Sequence, residues 1–201
     1  MSQSIYQFKI TLIDTLPEIW RTIQVPDNYN FWDLHVAIQD AMGWLDCHLH
    51  EFNFMQANET IRIGMPDVES ADASALLSWE VSIKTYFEKS GKTARYSYDF
   101  GDGWEHLIEF EATLPANTAM KYPICIAGER ACPPEDCGGV PGFEDMLAIL
   151  QHGKASEKKD LNQWLKNHAK NYYPFQAEVF DPLAVNFDDP ELRWANAFST
   201  K

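Results

Sequence analysis

Apolar and polar positions alternate over short runs through much of the first 110 residues, and a period of two predicts strands. Ile5 to Ile13 alternates in this way, and after Asp14 to Pro17 a second run extends from Ile19 to Val25. An opening hairpin is expected. Pro26-Asp27-Asn28 breaks it, and Asn30 stands where it can cap a helix from Phe31 to Met42, with Leu34, Ile38 and Ala41 at helical spacing and Gly43 at the end. His35 adjoins that stripe and reads as a boundary histidine. Trp44 to His50 forms a connector to a third strand, His50 to Phe54. Ala57 to Ser74 reads as surface loop around a short strand at Ile61-Arg62-Ile63, and Val81, Ile83 and the turn after Thr85, closed by Gly91, lead on.

The clearest hairpin lies further on. Tyr96, Tyr98 and Phe100 alternate with Ser97 and Asp99, and Trp104, His106, Ile108 and Phe110 alternate with Glu105, Leu107 and Glu109. Gly101-Asp102-Gly103 between them offers residues that reach positive φ cheaply, as a tight connection between twisted strands requires. From Cys125 to Gly139, paired prolines followed by paired glycines predict an ordered loop, either a binding loop or a cover over an open end of the sheet. Helices are then expected from Pro141 to Gly153, with Phe143, Met146, Leu147 and Leu150 inward, and from Ser156 to about Asn171, with Leu161, Trp164, Leu165 and His168 on one face. Asp181-Pro182 and Asp189-Pro190 mark two further helix starts. The pattern predicts an α+β fold: a mixed or antiparallel sheet built from hairpins, one packed N-terminal helix and a helical C-terminal part. One domain is expected over residues 1–201, with residues 141–201 as its helical elaboration.

Composition narrows the function. Thirty Asp and Glu against sixteen Lys and Arg give a net charge of -14, which disfavours general nucleic-acid binding. No apolar run approaches the roughly eighteen residues of a membrane span, and the first residues lack a signal peptide's basic start and apolar centre. A cytoplasmic protein is expected, with its four cysteines as thiols. Cys125, Cys132 and Cys137 lack the paired C-x-x-C spacing of a structural zinc site. The chain also contains no nucleotide-binding loop, nucleophile elbow or His-Glu-x-x-His helix.

The remaining chemistry has a main reading, a binding module, and an alternative, a metal-dependent hydrolase. In the first, Trp20, Arg21, Trp44, Trp104, Pro133 and Pro134 form an aromatic surface with a shaped rim, suited to a protein or small-molecule partner. In the second, Asp99, Asp102, His106, Glu135 and Asp136 gather in an acidic cleft as candidate catalytic groups of a metal-dependent hydrolase. His48, His50, Asp99 and His106 are then the candidate ligands for Mg²⁺, Mn²⁺ or Zn²⁺. His48 and His50 are two apart, which on an extended segment puts both rings on one face, or else leaves two polar residues at a strand entrance. Strand alternation places His106 with Trp104 and Ile108, where a histidine is ordinarily a hydrogen-bonded core residue, and turns Asp99 the other way.

Several blocks resemble the plasmid pRiA4b ORF-3-like family, also met as an insertion-element passenger protein labelled TnpR. They are Pro17 to Arg21, Leu34-His35 to Gly43-Trp44, His48 to Phe52, Tyr96 to His106, Cys132 to Gly139, and Phe180-Asp181-Pro182 with Phe187-Asp188. The resemblance implies an α+β domain associated with plasmids and insertion elements. It implies no recombinase chemistry, because a serine resolvase needs a nucleophilic serine among arginines and a basic tail, whereas Ala195 to Ser199 offers neither.

Overall fold

In a computed structural model of the chain, the structure describes residues 4–56, 59–65, 75–88 and 91–198. The loop expected over residues 66–74 lies outside them. The strands are β1 (Ser4–Leu12), β2 (Ile19–Pro26), β3 (His50–Gln56), β4 (Glu59–Gly64), β5 (Leu76–Leu77), β6 (Thr93–Tyr98), β7 (Trp104–Pro115) and β8 (Ile124–Glu129). They form one sheet in the order β5-β4-β3-β6-β7-β1-β2-β8, antiparallel throughout except for the β4 and β5 pair. The helices are α1 (Phe31–Met42), α2 (Gly139–His152), α3 (Ala155–Asn167) and α4 (Pro190–Phe198). The fold is therefore α+β, with two hairpin units joined through the long β7, which pairs with both β6 and β1.

Local chemistry accounts for the elements. Asn30 accepts from the Asp33 backbone N–H at 2.8 Å while Asp33 accepts from the Asn30 N–H at 3.0 Å, and Gly43 closes α1 at φ 87°. Leu34, Ile38 and Ala41 face the sheet, and Phe31 meets Phe52 and Phe54 with ring centroids at 5.0 and 5.6 Å. Phe143 and Met146 of α2 and Leu165 of α3 enter the same core. Leu161 is only partly covered and Trp164 is exposed, so the apolar face expected for α3 is narrower than its spacing suggested. Among the described residues no helix is long and apolar enough to cross a membrane.

Three expectations require correction. Ile124–Glu129 is a strand rather than the start of a loop, because its backbone completes the outer side of β2 through an irregular register at Thr22 and Ile23. Phe100 is exposed, because β6 ends at Tyr98 and alternation does not continue into the turn. His35 is fully buried, held between the Tyr96 hydroxyl at 2.8 Å and Asp46 at 2.6 Å.

His50 and His106 are also fully buried, and their titration follows from that. His50 stacks on His35 with centroids 3.5 Å apart, and neither of its ring nitrogens has a hydrogen-bond partner among the described residues. Burial, and then His35, holds it well below the ordinary histidine range. Burial pushes His106 down to about 3, with its Nδ1 3.2 Å from the Tyr96 carbonyl. Unfolded histidine titrates near 6.5, so below that pH the unfolded chain takes up protons that the fold refuses. Stability is expected to fall as pH drops from about 6.5, at up to about 1.4 kcal/mol per unit for each ring. Asp33, Asp40 and Glu135, raised by burial, oppose this at lower pH. The steepest loss is therefore expected between about pH 6.5 and 5. Urea midpoints at the two ends of that range check it, and equal midpoints would contradict it.

Candidate metal centre

The turn between β6 and β7 runs from Asp99 to Gly103. Asp99 takes φ 53°, a left-handed conformation that aspartate tolerates better than most residues, and Gly103 takes φ 69°. Asp99 Oδ1 accepts from the Gly101 and Asp102 backbone N–H groups at 3.0 and 3.3 Å, which fixes the carboxylate and leaves Oδ2 directed elsewhere. That oxygen lies 3.5 Å from His48 Nε2.

The loop after β8 supplies the other side. Asp136, also left-handed at φ 54°, brings Oδ1 to 3.2 Å from His48 Nε2, and Glu135 Oε2 lies 3.9 Å from it. Glu135 is fully buried, accepting from the Leu45 N–H at 2.6 Å and the Tyr98 hydroxyl at 3.1 Å. Burial pushes its carboxyl up, offset in part by those two donors. His48 Nε2 itself is shielded from solvent and makes no hydrogen bond among the described residues. Among the described residues two groups could hold an ion: Cys47, His48 and Glu135, and His48, Asp99 and Asp136. Within each group the donor atoms lie within 4.8 Å of one another, and His48 is common to both.

Asp102 braces this junction, its Oδ2 accepting from the Gly138 N–H at 3.0 Å. Gly139, at φ 68°, packs so tightly on the Asp102 carbonyl that a Cβ there would overlap it. Gly139→Ala is expected to cost about 1–3 kcal/mol through this overlap and the backbone strain. Thermal unfolding measures it, and a loss under about 0.5 kcal/mol, the level of an ordinary surface change, would contradict the close approach.

The structure thus brings together His48, Asp99, Glu135 and Asp136, with Asp102 behind them. It does not bring His50 or His106, which lie in the core. His48 and His50 do not share a face, because β3 begins only at His50 and the connector before it turns His48 outward. Nor do the expected surface residues form a surface. Arg21, Trp44, Trp104, Pro133 and Pro134 are buried, Trp44 stacking on Tyr98 and donating to the Pro133 carbonyl at 2.9 Å, and Trp20 is half-buried beneath Lys9. Sequence reasoning passed over Cys47, whose signal was its place beside His48 in a short connector.

A cleft of about 840 Å³ adjoins the cluster, sharing Cys47 and His48 in its wall. Its far side is α4, where Arg193 reaches Asp40, Asp46 and Asp188 at 2.5, 3.4 and 2.6 Å. Trp32, Trp44 and Phe198 line it as well, both tryptophans almost wholly covered and Phe198 exposed.

A family model described as plasmid pRiA4b ORF-3-like protein matches residues 4–188. The uncharacterized protein y4hQ of Sinorhizobium fredii is 32% identical over 196 residues, spanning 97% of this chain and 96% of that one. A crystal structure of the protein of unknown function MM3350 from Methanosarcina mazei Go1 is similar at a TM-score of 0.80 and 38% identity. It covers 93% of this chain and 100% of that one.

Proposed function

The chain belongs to the plasmid pRiA4b ORF-3-like family, and because that membership carries a fold without an activity, we propose a function from the site itself: a divalent-metal-dependent hydrolase centred on His48. The observation that carries this reading is the His48 Nε2 atom, shielded from water, without a hydrogen bond, and facing oxygens of Asp99 and Asp136 at 3.5 and 3.2 Å. A neutral imidazole with two carboxylates is a donor set suited to a divalent cation, which would supply Lewis acidity and a water of lowered pKa.

In this proposal His48, Asp99 and Asp136 hold the ion. Glu135, raised by burial and 3.9 Å from His48 Nε2, is the general base that takes the proton of the attacking water. The adjoining cleft receives the substrate, with Arg193 and the aromatic side chains positioning it. The burial of Trp44, Trp104, Pro133 and Pro134 removes the support for an aromatic docking surface, so the hydrolase reading replaces it. The proposal includes a single domain over residues 1–201, supported by the shared core of Leu165 with Phe8, and an accessory role in a mobile element, supported by the plasmid in the family's description.

The ordinary alternative is an imidazolium paired with carboxylates. Metal-stripped protein titrated with Zn²⁺ and Mn²⁺ by calorimetry separates the two. One bound equivalent, and turnover of activated esters or phosphodiesters that Glu135→Gln loses, is the expected result. Absence of any bound ion would remove the metal, and a bound ion with no such turnover would remove the hydrolase.

A further inference from the structure

The two donor groups share one residue, His48. An ion on His48 can take the Asp99 and Asp136 carboxylates as one set of partners or Glu135 and the Cys47 thiol as the other, since the donor atoms of each set lie within 4.8 Å of one another. Cys47 is exposed, whereas Cys125 and Cys132 are buried and Cys137 is partly covered. Its backbone is fixed to the same site: the Cys47 N–H donates to the Tyr98 hydroxyl at 3.1 Å, and that hydroxyl donates to Glu135. Position is therefore imposed on Cys47 by the residue that holds Glu135. The solvent-shielded His48 Nε2, lacking a hydrogen bond, is an independent sign that a ligand belongs between these groups.

Building on the metal reading above, we infer that Cys47 is a further ligand of the ion and that the site takes a thiophilic divalent cation of the zinc class, Zn²⁺, Co²⁺ or Fe²⁺, in preference to Mg²⁺ or Ca²⁺. The chemistry is that of ligand softness. Thiolate and imidazole favour the borderline transition metals, whereas Mg²⁺ and Ca²⁺ select oxygen donors, and Mg²⁺ retains much of its water. On coordination the Cys47 S–H bond breaks, its electron pair forms the sulfur–metal bond, and the proton leaves to solvent. No oxidant or other reactant is needed. Against an all-oxygen site, the thiol adds selectivity that carboxylates alone do not provide.

The test uses the full chain loaded with Co²⁺. A near-ultraviolet thiolate-to-cobalt charge-transfer band is expected, absent in Cys47→Ser, which should keep the wild-type unfolding temperature because Cys47 is exposed. Zn²⁺ affinity of Cys47→Ser is expected to fall at least as far as the roughly 10- to 100-fold typical of losing an outer-shell partner. Bound Zn²⁺ should protect Cys47 from iodoacetamide, read by mass spectrometry, and excess Mg²⁺ should not displace it. An ion that binds without the band, with unchanged affinity in Cys47→Ser, would overturn the thiolate while leaving the metal centre intact. Failure of Co²⁺ and Zn²⁺ to bind at all would overturn both.

Discussion

Replacing His48 with alanine is expected to weaken Zn²⁺ or Mn²⁺ binding on the order of 1000-fold, because both donor groups include this residue and even outer-shell losses cost about 10- to 100-fold. Stability should barely change. The ring is partly exposed and its Nε2 makes no hydrogen bond, so its removal belongs with surface substitutions that stay within about 0.5 kcal/mol. If the three carboxylates merely solvate a charged histidine, the same variant would instead lose stability without any change in metal affinity. Calorimetric titration and thermal unfolding of the same preparation distinguish these results. Asp136→Asn, at an exposed position, should weaken binding in the same direction.

The second large effect is structural. Arg21 is 1% exposed and has no carboxylate partner among the described residues. Its guanidinium instead donates to four backbone carbonyls: Ala41 at 3.0 Å, Trp20 at 2.7 Å, Glu129 at 2.8 Å and Arg130 at 2.8 Å. One side chain thus ties the end of α1 to β2, β8 and the loop that carries Glu135. Phe180 caps it, with the guanidinium carbon 3.5 Å from the ring centroid. Arg21→Met keeps much of the volume and removes the guanidinium donors from these carbonyls. Each buried polar group left unpaired costs about 1–3 kcal/mol, partly offset because a buried charge is removed, so a net loss of about 3–5 kcal/mol is expected. For a chain of this size that lowers the melting temperature by about 10 °C. Arg21→Lys should recover little, because a single ammonium cannot span the fork. A loss below about 1 kcal/mol in chemical unfolding would show that water takes over the carbonyls.

Much of this fold was legible where local chemistry and tertiary packing agree. Asn30, the Leu34, Ile38 and Ala41 stripe and Gly43 bound α1 at its observed ends, since cap, face and stop are all written within fourteen residues. β8 was not legible, because Ile124–Glu129 is an edge strand whose only strand partner among the described residues is β2, about a hundred positions earlier. The candidate site was read in part. Asp99, Glu135 and Asp136 were visible as acidic residues in turn-forming stretches. His48 was named among the imidazoles, but together with His50 and His106, because strand parity ties His48 to His50 only if the strand already runs through both, and it starts at His50. The cleft wall was invisible for a related reason: Arg193 and Asp40 are 153 positions apart, and nothing local announces their pairing.

The three groups around His48 Nε2 lie far apart along the backbone. From residue 48 to 99 is 51 positions, and from 99 to 136 is 37. An ion held there closes two long loops at one point, and it forms only after the sheet has already brought those segments together. In chain-statistical terms such a centre would act as a removable cross-link, comparable to a disulfide in what it denies the unfolded chain but set by cation concentration instead of redox potential.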